Sequence, residues 1–345
     1  MKYSILGATG VQVSRICLGT ATFGVAPTAH DADRVVGAAV DAGINFVDTA
    51  DVYGNMPVFD RPGAPAATDR EPAEQILGRA LRSRRDEMVI ATKSNGIVGH
   101  NINDRGLSRR HIIRQVETSL RRLETDYIDL YYAHDPDPHT PLEQTLAAYD
   151  DLIRQGKIRY VGLSNHPAWQ LIQALWIADD RRLQAPVAAQ VKYSLLDRAA
   201  ERELGPACDR FGVSIVPYAP LHGGLLADLA VLDRAVSGDQ RFQGAGFTQA
   251  EIATAREVDR LARDWGLKPY QASLAWLLSR PAVASAIVGA ETVDELHANA
   301  TAADIALEPA QLDALTALAD QPPEFQHRAG DGPERPAATD RPTTD

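Results

Sequence analysis

Eight times along this chain a short apolar, often β-branched run gives way to an amphipathic stretch long enough for a helix, with no break in composition between units. The runs read as strands at Ile16–Leu18, Phe46–Asp48, Met88–Ala91, Ile128–Tyr132, Tyr160–Gly162, Val187–Gln190, Ser214–Pro217 and Ala284–Val288. Helical patterns fall near residues 31–42, 71–82, 108–123, 141–155, 167–178, 200–211, 251–279 and 292–302. In the third of them Ser108 precedes the helix as an N-cap, and Ile112, Val116, Leu120 and Leu123 recur on one face. Gly156, Gly212 and Gly266 stand where helices should stop, because glycine tolerates the left-handed conformation that closes a helix. Strands separated by helices pair in parallel, and eight such units close into an α/β fold of the (β/α)8 barrel type.

The rival layout is an open, doubly wound sheet. The segment "SILGATGVQVS" invites it, since Gly7 and Gly10 resemble the start of a dinucleotide fingerprint. Val13 stands where the third glycine is required, and the following "VQVSRICLG" alternates like a strand and opens no helix. A β-hairpin closing the bottom of the barrel is therefore expected at the N-terminus. The 345 residues suit two ordinary domains or one barrel, and the unbroken alternation favours a barrel over residues 1–318. Residues 319–345 are polar and proline-rich, lack the apolar content for a core, and are expected to be disordered. A Pro- and Gly-rich insert at 55–70 follows the second strand, which places it over the C-terminal mouth.

Hydrophobic residues make up 45% of the chain and charged residues 23%, a globular balance able to fill a large core. The net charge of −11 argues against general affinity for nucleic acid or an anionic membrane, while leaving room for a local basic pocket. Two cysteines suit a reducing compartment, and neither a signal peptide nor a run of transmembrane length is evident, so a cytoplasmic location is expected. No obligate protein partner is evident. Trp176 and Tyr149, on outer helices, are the aromatic positions open to subunit contacts.

Barrels carry their chemistry at the C-terminal strand ends. The second strand ends at Asp48 with Tyr53 five residues on, the third at Lys93 and the fourth at His134. Each has an ordinary use alone: a turn carboxylate, a strand-end ammonium or Schiff-base nucleophile, a loop histidine. "HDPDPH" hints at a metal, yet two prolines interrupt Asp135, Asp137 and His139 and no fourth ligand is apparent, so none is expected. Together, at three neighbouring strand ends, they compose a proton relay. An ammonium stabilises phenolate, a carboxylate orients the ammonium, and an imidazole hydrogen-bonds a carbonyl oxygen while hydride reaches carbon.

"FVDTADVYG", "IATKSNG" and "DLYYAHDPD" resemble the Asp–Tyr, lysine and histidine segments of the aldo-keto reductase family, bacterial members above all, over about residues 3–315. The resemblance implies a (β/α)8 barrel and an NAD(P)(H)-dependent reduction of an aldehyde, ketone or keto-sugar. Tyr53 would then be the acid/base, Asp48 and Lys93 its tuning groups, and His134 the carbonyl-positioning group. It also implies a dinucleotide site. Ser164, Asn165 and Gln190 would hold the carboxamide, Tyr218 would stack on the nicotinamide, and the loop with Pro220, Leu221 and Gly223 would pass the pyrophosphate. Gly289, Glu291, Glu295 and Asn299 would lie at the adenosine end. Glu295 stands where the family usually has Arg, Lys or Gln, and Glu291 where Ser or Arg is common. NADP(H) is the expected cofactor on the family pattern, with NAD(H) possible because two carboxylates would repel a 2′-phosphate. Arg241 is a candidate compensating charge. The mouth is expected to carry Phe23, Tyr53, the 55–70 insert, Trp169 or its neighbours, and residues near 222–247. The alternative function is that of channel-associated family members, which bind the nucleotide and act chiefly through a protein partner.

Overall fold

The computed structural model describes residues 1–61, 63–233 and 246–318. Arg241 and the 319–345 tail fall outside the described residues. Two short strands, β1 (Tyr3–Ile5) and β2 (Gln12–Ser14), form an antiparallel hairpin with Tyr3 opposite Ser14. The eightfold alternation then runs β3 (Ile16–Gly19), α1 (Ala29–Asp41), β4 (Phe46–Asp48), α2 (Ala73–Leu81), β5 (Val89–Ser94), α3 (Arg109–Arg122), β6 (Ile128–Ala133) and α4 (Leu142–Arg154). It continues with β7 (Ile158–Ser164), α5 (Ala168–Arg181), β8 (Ala188–Lys192), α6 (Leu204–Phe211) and β9 (Ser214–Tyr218). The last unit comprises α7 (Gln249–Asp264), α8 (Pro269–Leu278), β10 (Ala286–Gly289), α9 (Val293–Thr301) and α10 (Pro309–Leu318).

The eight long-range strands pair in parallel in the order β10-β3-β4-β5-β6-β7-β8-β9. The ends meet where Ile215 N–H donates to Ala282 O at 2.7 Å and Ala284 N–H donates to Ile215 O at 3.0 Å, which closes the barrel. Inside it Cys17, Phe46, Ala91, Leu130, Tyr132, Val216 and Ile287 pack together, while a larger apolar layer fills the space between sheet and helices.

The hairpin is the barrel's floor. Leu6 and Val13 belong to the interior cluster, Ser4 Oγ donates to Ala284 O at 2.6 Å, and Gly7 N–H donates to Ser214 Oγ at 2.7 Å. Gly7 is required there twice over: its φ is +53°, and a Cβ would meet Val187 O at 2.4 Å.

Three features differ from the sequence reading. The pattern at 251–279 is two helices, because Gly266 adopts φ +70° and Pro269 opens α8 at its first turn. Helix α10 was not anticipated; its Thr316 Oγ1 accepts from Trp276 Nε1 at 2.9 Å. Ser108 caps α3 as read, its side chain accepting from His111 N–H at 3.3 Å. Tyr149 is not available to a partner, since it is fully buried edge-on against Tyr131. Among the described residues no helix is long and apolar enough to cross a membrane.

Replacing Gly7 by Ala adds a steric shift to the left-handed cost and should lower stability by about 2–4 kcal/mol. Gly10 also has positive φ but nothing lies near its missing Cβ, so Gly10→Ala should cost only about 1–2 kcal/mol. Urea unfolding of the two variants checks this, and equal losses would mean that the hairpin does not press on the barrel floor.

Candidate active site

The parallel register brings the polar strand ends together. Asp48 pairs with Ala91, so Lys93, two residues farther along β5, projects from the same face, and it stands beside Tyr132 of β6. Lys93 Nζ reaches three oxygens: Asp48 Oδ1 at 2.5 Å, Thr49 O at 2.7 Å and Tyr53 Oη at 3.2 Å. The other Asp48 oxygen accepts from Gln190 Nε2 at 2.7 Å. His134 follows the last residue of β6, its N–H donating to Ser94 O at 2.9 Å, and its ring meets that of Tyr53 edge-on at 5.8 Å. The four residues at three strand ends thus form one cluster.

Tyr53 is held from behind. Gly54, at φ +90°, turns the chain so closely that a Cβ would meet Glu71 O at 2.6 Å, and Ala73 N–H donates to Tyr53 O at 2.9 Å. Arg122 fixes the same turn, donating to Asp51 O at 2.9 Å and to the buried Glu74 at 3.1 Å. Glu74 also accepts from Thr92 Oγ1 at 2.7 Å. This support from α2 and α3 was missed in the sequence, where only the charge pattern of the two helices could have signalled it.

Electrostatics separate the roles available to these groups. Burial alone would lower the Lys93 ammonium, but the Asp48 carboxylate and the Tyr53 oxygen outweigh it and the net shift is upward, so Lys93 stays charged. Burial raises the Tyr53 phenol above its ordinary value, and the opposing pull of Lys93 does not overcome it. The phenol therefore stays protonated at neutral pH. Because Nζ donates to Oη, the phenol's own proton is left to point elsewhere. Burial, aided by Lys93, pushes the His134 imidazole down to about 3, which keeps it neutral.

A cavity of about 690 Å³ opens over this cluster. Asp48, Tyr53 and His134 line it, as do Ser164, Asn165, Gln190, Tyr218, Pro220, Leu221, Gly223, Gly289, Glu291, Glu295 and Asn299. Lys93 lies behind the wall, fully buried. Ser164 Oγ is buried and has no hydrogen-bond partner among the described residues. Asn165 is already engaged, donating to His134 O at 3.0 Å and Asp135 Oδ1 at 2.9 Å while accepting from Tyr218 Oη at 3.0 Å. Asp137 accepts from Leu107 N–H, His139 N–H and Thr140 Oγ1, which is the use the loop makes of the acidic "HDPDPH" run. Among the described residues no group of three His, Cys, Asp or Glu could hold a metal.

The mouth differs from expectation in its aromatics. Phe23 is fully buried and the exposed Trp169 is not part of the cavity lining, whereas Met56 and Phe59 of the 55–70 insert line it. Thr20, Thr22 and Tyr270 line it too and gave no signal in the sequence.

The family model described as the aldo/keto reductase family matches residues 15–320. An uncharacterized oxidoreductase of Bacillus subtilis, YrpG, is 37% identical over 316 residues, covering 89% of this chain and 93% of that protein. Protein tas of Escherichia coli is 33% identical over 87% of this chain and 92% of its own length. A probable voltage-gated potassium channel subunit beta of Oryza sativa is 32% identical over 94% of this chain and 98% of its own.

Lys93→Met would strand a buried carboxylate and should destabilise the fold by about 3–5 kcal/mol, part of which Asp48→Asn in the same chain should restore. Denaturant titration of the two variants measures this, and equal stability of single and double variants would deny the coupling. The unfolded chain takes up a proton on His134 near its ordinary value, while the folded chain refuses it until about 3. Stability from this group is therefore complete above the unfolded value and is lost as pH falls from there toward 3. His134 ring resonances should accordingly show no titration between about pH 5 and 8.

Proposed function

The chain belongs to the aldo/keto reductase family, and on that footing we propose that it reduces a carbonyl to an alcohol with a nicotinamide dinucleotide, Tyr53 donating the proton. The observation that carries this reading is the donation from Lys93 Nζ to Tyr53 Oη, with the ammonium itself anchored on Asp48. A bound dinucleotide supplies the hydride. As negative charge develops on the carbonyl oxygen, Tyr53 gives up its proton, and Lys93 stabilises the phenolate that remains. Neutral His134 positions the same oxygen. Asp48 keeps Lys93 charged and aimed, and Gln190 keeps Asp48 aimed.

The cavity's residues fit the dinucleotide. Ser164 brings a buried hydroxyl without a partner among the described residues, suited to the carboxamide, and Tyr218 lines the cavity on the side where the nicotinamide would lie. Asn165, its amide committed to the loop of His134 and to Tyr218, serves by fixing those two groups. The backbone from Pro220 to Gly223 follows as the pyrophosphate wall, and Gly289, Glu291, Glu295 and Asn299 bound the far nucleoside. The family resemblance favours NADP(H), and the choice against NAD(H) falls on Glu291 and Glu295. The substrate is a small carbonyl compound, an aldehyde, ketone or keto-sugar, and Met56 and Phe59 would meet its body.

A second reading follows from the rice relative named as a channel subunit: a nucleotide-binding subunit with little turnover. One experiment addresses both. Steady-state oxidation of reduced dinucleotide with a reactive aromatic aldehyde should show turnover, and Tyr53→Phe should cut it by about 10²–10⁴ while leaving nucleotide binding intact. An undiminished rate in that variant would end the assignment of Tyr53. Nucleotide binding without turnover in the parent chain would favour the second reading.

A further inference from the structure

Helix α5 turns an apolar ridge outward. Its inner face is made by the buried Leu171, Ala174, Ile177 and Ala178, so Trp169 and Trp176, two turns apart, share the opposite side. They are 63% and 66% exposed, with the half-buried Ile172 between them. Phe211, at the end of the neighbouring α6, is 55% exposed. A single exposed aromatic is ordinary, whereas a ridge holding two of the chain's four tryptophans marks a surface built for contact. Its two ends carry unmatched charge of opposite sign. Beyond Trp176, Asp179 is exposed and has no side-chain partner among the described residues. Before Trp169, α5 starts at Pro167 with no side-chain cap, which leaves the positive pole of the helix uncompensated.

We propose that this ridge is the interface of a twofold homodimer in which α5 packs antiparallel against α5 of a second copy. A twofold axis passing between Ile172 and Gln173 sets Trp169 opposite Trp176 of the other copy, and the reverse. The same axis sets Asp179 beside the uncapped start of the other α5, so one operation matches both the rings and the charges. That coincidence is what selects a second copy as the occupant. The chain's own segment 319–345 is a poorer match, since it carries one aromatic residue, Phe325, and no Leu, Ile, Val or Met. At about 150–250 Å² for a large aromatic side chain, the two indoles and Phe211 offer about 300–450 Å² per protomer. A stable complex covers about 800 Å² per partner, so the aromatics supply about half and the polar flanks of α5 the remainder. Because α5 starts at the mouth end of the barrel, the two mouths open in opposite directions and neither copy closes the other's cavity.

Light scattering on the full chain at micromolar concentration should give twice the protomer mass. Trp176→Arg alters both halves of the interface at once and should raise the dissociation constant at least about thirtyfold, as loss of a buried tryptophan anchor does. Ile102→Arg removes an equally exposed apolar side chain from the loop after β5 and should leave the mass unchanged. The native Cys17 and Cys208 are both buried, so a short bismaleimide added to Gln173→Cys should react at that position and link two copies. A parent of single-protomer mass overturns the proposal and leaves the ridge to the 319–345 segment or to another protein. A dimer that survives Trp176→Arg, or that the bismaleimide does not link, overturns it too, because the copies then meet elsewhere. None of these readouts depends on how the cavity is used.

Discussion

Taking an ammonium and a carboxylate out of water costs several kcal/mol per ion, and their attraction recovers this only when each remaining donor and acceptor is satisfied. Lys93 and Asp48 are both buried at the top of the barrel, and the site follows from how that requirement is met. Lys93 spends its donors on Asp48, Thr49 O and Tyr53 Oη, and Asp48 turns its second oxygen to Gln190 from the opposite side. Strands β4, β5 and β8 are thereby tied to one charge pair. Tyr53 is included because the ammonium has a donor to give, and the phenol is oriented as a consequence. A site built on such a pair is rigid, since moving any member exposes an uncompensated charge to an apolar interior.

The support reaches beyond the pair. Arg122 of α3 grips the Asp51–Glu74 corner beneath Tyr53, and Asn165 locks the loop of His134 to Tyr218. The cavity walls carrying His134 and Tyr218 are therefore joined by side-chain hydrogen bonds and do not depend on the loops alone. His134 is neutral for the reason that Tyr53 is protonated: both are shielded, and the nearby positive charge of Lys93 opposes a proton on the imidazole.

Much of this was legible in the residues. The periodic apolar runs located all eight barrel strands, and polar groups at three strand ends located the cluster. Strand lengths were less legible, for a physical reason. Lys93, Ser94, Ser164 and Lys192 continue the ladder while breaking the apolar pattern, so β5, β7 and β8 extend farther into the site than hydrophobicity suggests. The split at Gly266 was visible as a glycine but hidden by continuous helical periodicity on either side. The Arg61–Glu291 contact joins residues 230 positions apart, and no local pattern could announce it. Phe23 and Tyr149 were misread because an aromatic residue's sequence neighbours do not say which side of a helix or loop will be covered.

In the proposed reaction the dinucleotide gives a hydride to the carbonyl carbon and Tyr53 a proton to its oxygen. Supplying the protein with reduced dinucleotide carrying deuterium on one face of nicotinamide C4, together with an aromatic aldehyde, follows both transfers at once. Label from one face alone, and not from the other, should appear on the carbinol carbon, with the hydroxyl proton drawn from solvent. An alcohol without label from either face, or no alcohol despite bound nucleotide, would contradict it.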